Sequence, residues 1–165
     1  MTTLLIIDDD AQARAAVRVS APVGWTVLEA EDGLTGLDLV RQHDRRLDLI
    51  VLDVGMPTID GRIICARIRD VNPSVPILPF TGMAHAVGVL NAFGCLPPVL
   101  KPVRPNDLAR ALYAALEQPA PPLHEGPLMG WAYEQSQLVE HLIRQNLAVP
   151  RVAVFASSPV KRAGL

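Results

Sequence analysis

The chain has 165 residues, half of them hydrophobic, and a formal net charge of −2. This length suits one domain with an appendage. Binding to nucleic acid is not expected, because such surfaces usually carry clustered Lys and Arg. The first apolar run, Leu4–Ile7, is short and no basic segment precedes it, so neither a signal peptide nor a membrane span is predicted. The two cysteines form no CxxC motif or disulfide framework, which predicts a reduced, cytoplasmic compartment.

Short apolar runs alternate with helix-compatible segments over residues 1–118. The predicted strands are Leu4–Ile7, Trp25–Ala30, Leu47–Leu52, Val75–Phe80 and Leu96–Leu100. The predicted helices are Ala11–Ser20, a segment around Leu34, Leu37 and Val40, a segment around Ile64, Ile68 and Val71, and a final helix from Leu108 to about Gln118. Strands that are apolar throughout indicate a parallel sheet with helices on both faces. We therefore predict a doubly wound, five-stranded α/β domain.

A proline-rich stretch marks the end of that domain. Pro119–Pro122 predicts a stiff linker, which we assign to residues 119–127. Residues 128–165 are predicted to form a C-terminal extension with a helix at Glu134–Leu147 and a short strand at Arg151–Ala156. One face of that helix would carry Leu138, Val139, Leu142 and Ile143. No sequence motif assigns a function to this extension.

Polar side chains follow four of the five predicted strands. The first strand is followed by Asp8 and Asp9, the third by Asp53, the fourth by Thr81 and the fifth by Lys101. Parallel strands end at the same edge of a sheet, so we expect these side chains to converge. Three carboxylates repel one another unless a cation lies among them, and hard oxygen ligands suit Mg²⁺. A hydroxyl and an ammonium group could then hold phosphoryl oxygens.

These residues lie in motifs that resemble a response-regulator receiver domain over residues 1 to about 118. The matching pieces are Ile7–Asp10, Ala30–Gly33, Asp48–Asp53, Met56-Pro57, Asp60-Gly61, Phe80–Gly82 and Lys101-Pro102. Each piece is weak alone, but all of them in this order make a specific match. The resemblance implies the flavodoxin-like receiver fold with strand order 2-1-3-4-5.

The resemblance also implies that Asp53 accepts a phosphoryl group. The donor would be the phosphohistidine of a histidine kinase or a histidine phosphotransfer protein, and the product an acyl phosphate. The chain would then be a phosphoprotein of a two-component phosphorelay that switches protein–protein interactions. It is expected to take part in its own phosphorylation and dephosphorylation, but not to be an enzyme. Its downstream target is not specified, and contact with a membrane is not expected.

The other site residues acquire roles from the same resemblance. Asp9, Asp53 and the backbone carbonyl of Gly55 would bind Mg²⁺ directly, and Asp8 would support the metal through water. Thr81 and Lys101 would contact the phosphoryl group. The peptide bond between Lys101 and Pro102 corresponds to one that is often cis in this family.

The stretch from Thr81 to Leu100 departs from the family pattern. It contains no Lys, Arg, Asp or Glu, and Pro98 stands where a switch aromatic is expected. Pro79, just before it, falls inside a predicted strand, where a missing N–H is poorly tolerated. We predict that the apolar surface of residues 83–118 is covered by a partner, by a second copy in a homodimer or by the C-terminal segment. The alternative is that residues 83–93 lie deeper in their own core.

Two other functions are alternatives to this interpretation. One is a DNA-binding transcriptional response regulator, but residues 119–165 carry four Lys or Arg against three Glu and only one convincing helix. The other is a pseudo-receiver that signals without phosphorylation. The altered stretch before Lys101 favours it, whereas the complete set of acids with Thr81 and Lys101 argues against it.

Overall fold

The protein folds around a five-stranded sheet in which every pairing is parallel. The computed structural model describes residues 1–84 and 90–121 and, beyond them, Trp131, Glu134, Gln135, Gln137, His141 and Gln145. The strands are β1 (Thr3–Ile7), β2 (Thr26–Ala30), β3 (Leu49–Leu52), β4 (Ile77–Thr81) and β5 (Val99–Leu100). Their order in the sheet is β2-β1-β3-β4-β5. Both the predicted fold class and the predicted strand order are confirmed.

Aspartates set where most of the helices begin. The helices are α1 (Ala11–Ser20), α2 (Gly33–His43), α3 (Gly61–Val71) and α4 (Pro105–Glu117). Asp10, Asp32 and Asp60 each precede a helix, and each carboxylate accepts a hydrogen bond from a backbone N–H of the first turn. Asp10 and Asp32 follow β1 and β2 closely, so the chain turns there from sheet to helix within a few residues, whereas a longer loop leads from β3 to Asp60.

The hydrophobic core has two layers, one on each face of the sheet. Alternate residues of β1 show the division: Leu5 and Ile7 face the layer that includes α2 and α3, while Leu4 and Ile6 face the layer that includes α1 and α4. Each of these four side chains is almost completely shielded from solvent. Burial on both faces explains why the inner strands β1 and β3 are almost entirely apolar, whereas the partly exposed edge strand β2 is not.

Pro79 lies within β4, but its missing N–H removes no backbone hydrogen bond between β3 and β4. Successive residues of a strand direct their backbone groups alternately toward the two neighbouring strands. The carbonyls of Ile77 and Thr81 accept bonds from the side of β5, so Pro79, two residues from each, also directs its nitrogen toward β5. Since β5 begins only at Val99, the missing donor faces a sparsely paired edge.

The fifth strand is shorter than predicted, because Pro97 and Pro98 lie where the first part of the predicted strand would have donated backbone bonds. Before it, Leu90 and Phe93 are fully buried in the core of the domain. For these two residues the deeper-core alternative is therefore correct. The two cysteines are unbonded thiols in the same core, with Cys65 Sγ and Cys95 Sγ 3.3 Å apart.

The predicted C-terminal helix is only partly covered by the described residues. Trp131, Glu134, Gln135, Gln137 and His141 are helical, which agrees with a helix in this region that begins earlier than predicted. Its predicted apolar face, the strand at Arg151–Ala156 and residues 122–130 lie outside the described residues. Among the helices that the structure describes, none is long and apolar enough to span a membrane.

We expect Gly61→Ala to destabilise the fold, because a Cβ at this position would lie 2.4 Å from the backbone Cα of Val54. Overpacking of this kind costs about 1–3 kcal/mol. Gly82→Ala is the matched control, since a Cβ there would meet nothing within 4 Å. Urea denaturation of the two variants would measure the difference. Equal free energies of unfolding would show that the turn between Val54 and Gly61 is not tightly packed.

Candidate functional site

Three carboxylates converge at one edge of the sheet, as expected from the ends of β1 and β3. Ile7 and Leu52 are direct neighbours across these two strands, so the following residues, Asp8 and Asp53, also lie side by side. One carboxylate oxygen from each of Asp8, Asp9 and Asp53 lies within 4.8 Å of the others. Asp8 and Asp53 are buried, whereas Asp9 is exposed. We call these three residues the acid cluster.

Lys101, which follows β5, brings a positive charge to the acid cluster. Its backbone N–H donates to the carbonyl of Thr81 at 3.0 Å, which fixes the residue at the end of β5. Its ammonium Nζ lies 2.7 Å from Asp8 Oδ2 and 3.4 Å from Asp53 Oδ2. One cation is thus shared by two carboxylates. The peptide bond from Lys101 to Pro102 is cis.

Burial and charge act in opposite directions on this pair. Burial raises the pKa of Asp8 above its ordinary value, although hydrogen bonds from Lys101 and from the backbone N–H of Asp10 favour the ionised form. For Lys101 burial favours the neutral amine, but the hydrogen bond to Asp8 and the charges of Asp53 and Asp8 outweigh it and raise the pKa. Lys101 therefore stays charged at neutral pH. Among the described residues, three carboxylates thus share one ammonium, and the acid cluster has an excess of formal negative charge.

Contacts of Gly55, Thr81 and Met83 shape the entrance to the acid cluster. The backbone N–H of Gly55 donates to Asp53 Oδ1 at 2.9 Å, which leaves Oδ2 on the side of Lys101. Thr81 is fully buried at the end of β4, and its hydroxyl oxygen accepts a bond from the Met83 N–H at 3.2 Å. Met83 lies close over Gly55, since a Cβ at position 55 would be 3.2 Å from the Met83 sulfur. The space above Asp53 is therefore narrow on this side.

Arg14 and Glu29 support the site and were not identified from the sequence. The Arg14 guanidinium donates to the backbone carbonyl of Asp8 at 2.7 Å and pairs with Glu29 at 3.3 Å. Glu29 is the only charged residue of β2. A charged residue inside a mainly apolar strand usually has a partner of opposite charge. This feature of the sequence could have revealed the pair.

Comparison with known proteins identifies the same part of the chain. Residues 4–113 match the family described as "Response regulator receiver domain". The "Response regulator MprA" of Mycobacterium sp. (strain KMS) is 34% identical over 128 residues, which are 75% of this chain and 54% of that protein. The "Transcriptional regulatory protein AfsQ1" of Streptomyces coelicolor is 37% identical over 121 residues, covering 72% of this chain and 52% of that protein. The chain spans about half the length of these relatives.

Solved structures agree with the sequence comparison. A putative response regulator from Chloroflexus aurantiacus J-10-fl superposes with a TM-score of 0.60 at 28% identity, over 71% of this chain and 98% of that chain. The part of this chain that superposes is about as long as the family match. The rest of the chain has no counterpart in this superposition.

Replacing Lys101 tests whether its ammonium group stabilises the acid cluster when no metal ion is bound. Lys101→Met leaves Asp8 buried without its charged donor, which should lower the free energy of unfolding at pH 7 by about 1–3 kcal/mol. Adding Asp8→Asn should restore most of that loss, because the neutral amide needs no cation. Denaturation of both single variants and the double variant, in the presence of a chelator, measures this coupling.

The pH dependence of the same variant has a defined sign. Burial raises the pKa of Asp8 in the folded state, and loss of Lys101 raises it further, so the folded variant binds this proton more tightly than the unfolded chain. The deficit of Lys101→Met should therefore shrink as the pH falls through the raised pKa. A deficit that is constant with pH, or additive single and double variants, would contradict the ion pair.

Proposed function

We propose that this chain, which belongs to the response regulator receiver domain family, accepts a phosphoryl group on Asp53 from the phosphohistidine of a partner. The observation that carries the proposal is the position of Lys101, whose ammonium contacts both Asp8 and Asp53 at the end of the sheet. A carboxylate held beside a fixed cation can attack phosphorus while the cation offsets the charge that accumulates on the phosphoryl oxygens.

Mg²⁺ fits the donor set of the pocket. Receiver domains bind Mg²⁺ at an acidic pocket, and here the acid cluster supplies only hard oxygen donors and has an excess of formal negative charge over Lys101. Asp9, Asp53 and the Gly55 carbonyl would hold the ion, with Asp8 acting through water. When bound, the ion would neutralise charge on the entering phosphoryl group.

The side chains of the pocket have distinct roles in the proposed transfer. Asp53 Oδ1 is held by the Gly55 N–H, so Oδ2, which faces Lys101, is the oxygen that would form the new bond to phosphorus. The bond from phosphorus to the donor histidine breaks, and its electron pair stays on that nitrogen. Lys101 would donate to one phosphoryl oxygen and the Thr81 hydroxyl to another. Positioning and charge offset carry the reaction.

The partners follow from the proposed chemistry. Receiver domains interact with histidine kinases and other proteins, and for this chain we propose a histidine kinase or a histidine phosphotransfer protein, in the cytoplasm, as the donor. Phosphorylation would then switch binding to a downstream protein, or pairing of two copies through residues 83–118. The receiver domain family is a phosphoacceptor, and we propose that this chain acts as one rather than as an enzyme. The end of α4 at Glu117 supports a domain boundary near residue 118.

A transcriptional regulator is the second candidate. It is favoured by one relative, which is named a transcriptional regulatory protein and is about twice as long as the matched region. The composition of residues 119–165 does not favour DNA binding by this part of the chain, because four basic residues are balanced by three acidic ones. We therefore place phospho-dependent protein binding first.

Incubation with Mg²⁺ and acetyl phosphate should give a phosphoryl adduct that is visible by intact mass. Asp53→Asn and Asp53→Ala should abolish the adduct, because each removes the carboxylate nucleophile. Asp38→Asn should leave it unchanged, since Asp38 is an exposed residue of α2 paired with Arg41. Lys101→Met should reduce its rate by about 10²–10³-fold, the usual effect of removing one group that stabilises transferring charge.

An adduct that persists in Asp53→Asn would place the phosphoryl group on another residue. No adduct from acetyl phosphate, or from any histidine kinase that phosphorylates other receivers in the same assay, would favour a pseudo-receiver that keeps the fold and signals without phosphate.

A further inference from the structure

Helix α3 is covered over a wider arc than packing on a sheet requires. Seven of its eleven residues are buried, whereas a helix at the surface of a domain usually buries a narrower stripe. Arg62, Ala66 and Arg69 recur at i, i+4 and i+7 and so line one side of the helix, which we call the α3 flank. Ala66 and Arg69 are buried, and the Arg62 side chain is only 19% exposed.

The C-terminal end of the α3 flank is closed by the receiver domain itself. The buried guanidinium of Arg69 donates to the carbonyls of Val75 at 2.6 Å, Gly94 at 2.7 Å and Phe93 at 3.3 Å. Two of these carbonyls belong to the segment that leads into β5. This end of the flank is therefore occupied, and a partner could reach only the end near Arg62.

Trp131, from beyond the receiver domain, covers the other end of the α3 flank. The Arg62 guanidinium carbon lies 4.6 Å from the centroid of the Trp131 ring, within the range of a cation–π contact. Trp131 also packs against the core layer that includes α2 and α3. Gln135, one helical turn later, is half-buried, whereas Glu134 and Gln137 are exposed. Among the described residues of this helix, Trp131 thus contacts the domain, and Gln135 on the same side is shielded more than Glu134 and Gln137.

Arg62 is connected in turn to the chain that follows Asp53. Its Nε donates to both carboxylate oxygens of Asp60 at 2.9 Å, and Asp60 caps α3. The next residue, Gly61, donates its N–H to the Val54 carbonyl at 3.4 Å and leaves no room there for a side chain. A continuous series of contacts therefore runs from Trp131 through Arg62 and Asp60 to the residue beside the proposed phosphoacceptor.

We propose that the C-terminal segment is an internal partner of the receiver domain: Trp131 docks on the α3 flank through Arg62, and a phosphoryl group on Asp53 weakens this docking. The docking stands on the observed contacts alone, whereas its release rests on the proposed function. The direction follows because Trp131 is docked on the arrangement in which Lys101 bridges Asp8 and Asp53. A ligand lowers the docked population if it favours an arrangement of the loop after Asp53 in which the α3 flank fits Trp131 less well, and we propose that the phosphoryl group does so.

Trp131 can report its own docking once Trp25 is replaced. The chain has two tryptophans, and Trp25 lies in the other core layer, edge-on to Tyr113. Trp25→Phe keeps that aromatic contact and leaves Trp131 as the one tryptophan of the chain, so excitation that selects tryptophan over tyrosine reports on Trp131 alone. In the full chain, acrylamide should quench Trp131 weakly.

Substitution of Arg62 tests the docking itself. Arg62→Gln should shift the docking equilibrium at least about two-fold toward exposure, the lower limit for loss of a cation–π contact, and Arg62→Lys should retain most of the shielding. Arg110→Gln is the control, since Arg110 lies on α4, which packs in the other core layer, and pairs with Asp107 at the surface. Thermal melts would verify that each variant folds. Quenching of Trp131 that is already at the level of free tryptophan in Trp25→Phe, or unchanged by Arg62→Gln, would overturn the docking.

Mg²⁺ with beryllofluoride, which mimics a phosphoryl group, tests the release. In Trp25→Phe the two together should raise acrylamide quenching of Trp131 at least about two-fold, and in Trp25→Phe with Asp53→Asn they should not. Fluorine NMR of bound beryllofluoride shows separately whether the pocket is loaded. Bound beryllofluoride with unchanged or lower quenching overturns the release. Absence of bound beryllofluoride would contradict the proposed function and, with it, the release of Trp131 on phosphorylation. The test with Arg62→Gln would still decide whether Trp131 docks.

Discussion

The shared ammonium of Lys101 is the contact on which the functional part of the structure depends. It lies 2.7 Å from one buried carboxylate and 3.4 Å from another, and those carboxylates come from the adjacent strands β1 and β3. Lys101 reaches them from β5, a strand of two residues held by the end of β4. The strand order therefore does more than form a core, since it brings the Lys101 ammonium to two acids.

The pocket requires charged side chains, whereas the core requires that water be excluded, and the two lie next to each other in this fold. The two apolar layers exclude water from the sheet, and the same exclusion raises the pKa of Asp8. The Lys101 ammonium and the backbone N–H of Asp10 both donate to the Asp8 carboxylate and compensate part of the cost of burying it. The excess negative charge that remains is the property that suits a divalent cation and a phosphoryl group.

The sequence predicted the elements that local chemistry determines. Apolar runs located all five strands, and the aspartates after β1, β2 and β3 lie where the helices begin. The fifth strand was predicted too long because the prediction rested on the apolar character of the segment. It did not take into account that Pro97 and Pro98 have no backbone N–H to donate. Pro79 looked inconsistent with a strand because a sequence does not reveal toward which neighbour a backbone nitrogen points. The position of Trp131 over Arg62 depends on contacts between residues far apart in the chain, which no local periodicity encodes.

Titration with Mg²⁺ by calorimetry, at low ionic strength, tests most directly whether the excess negative charge of the acid cluster is a metal site. The wild-type chain and Asp38→Asn should show saturable binding at one site, while Asp9→Asn should bind at least about tenfold more weakly because it loses a charged ligand. Absence of saturable binding by the wild-type chain, or equal affinity in Asp9→Asn, would contradict the assignment of this pocket.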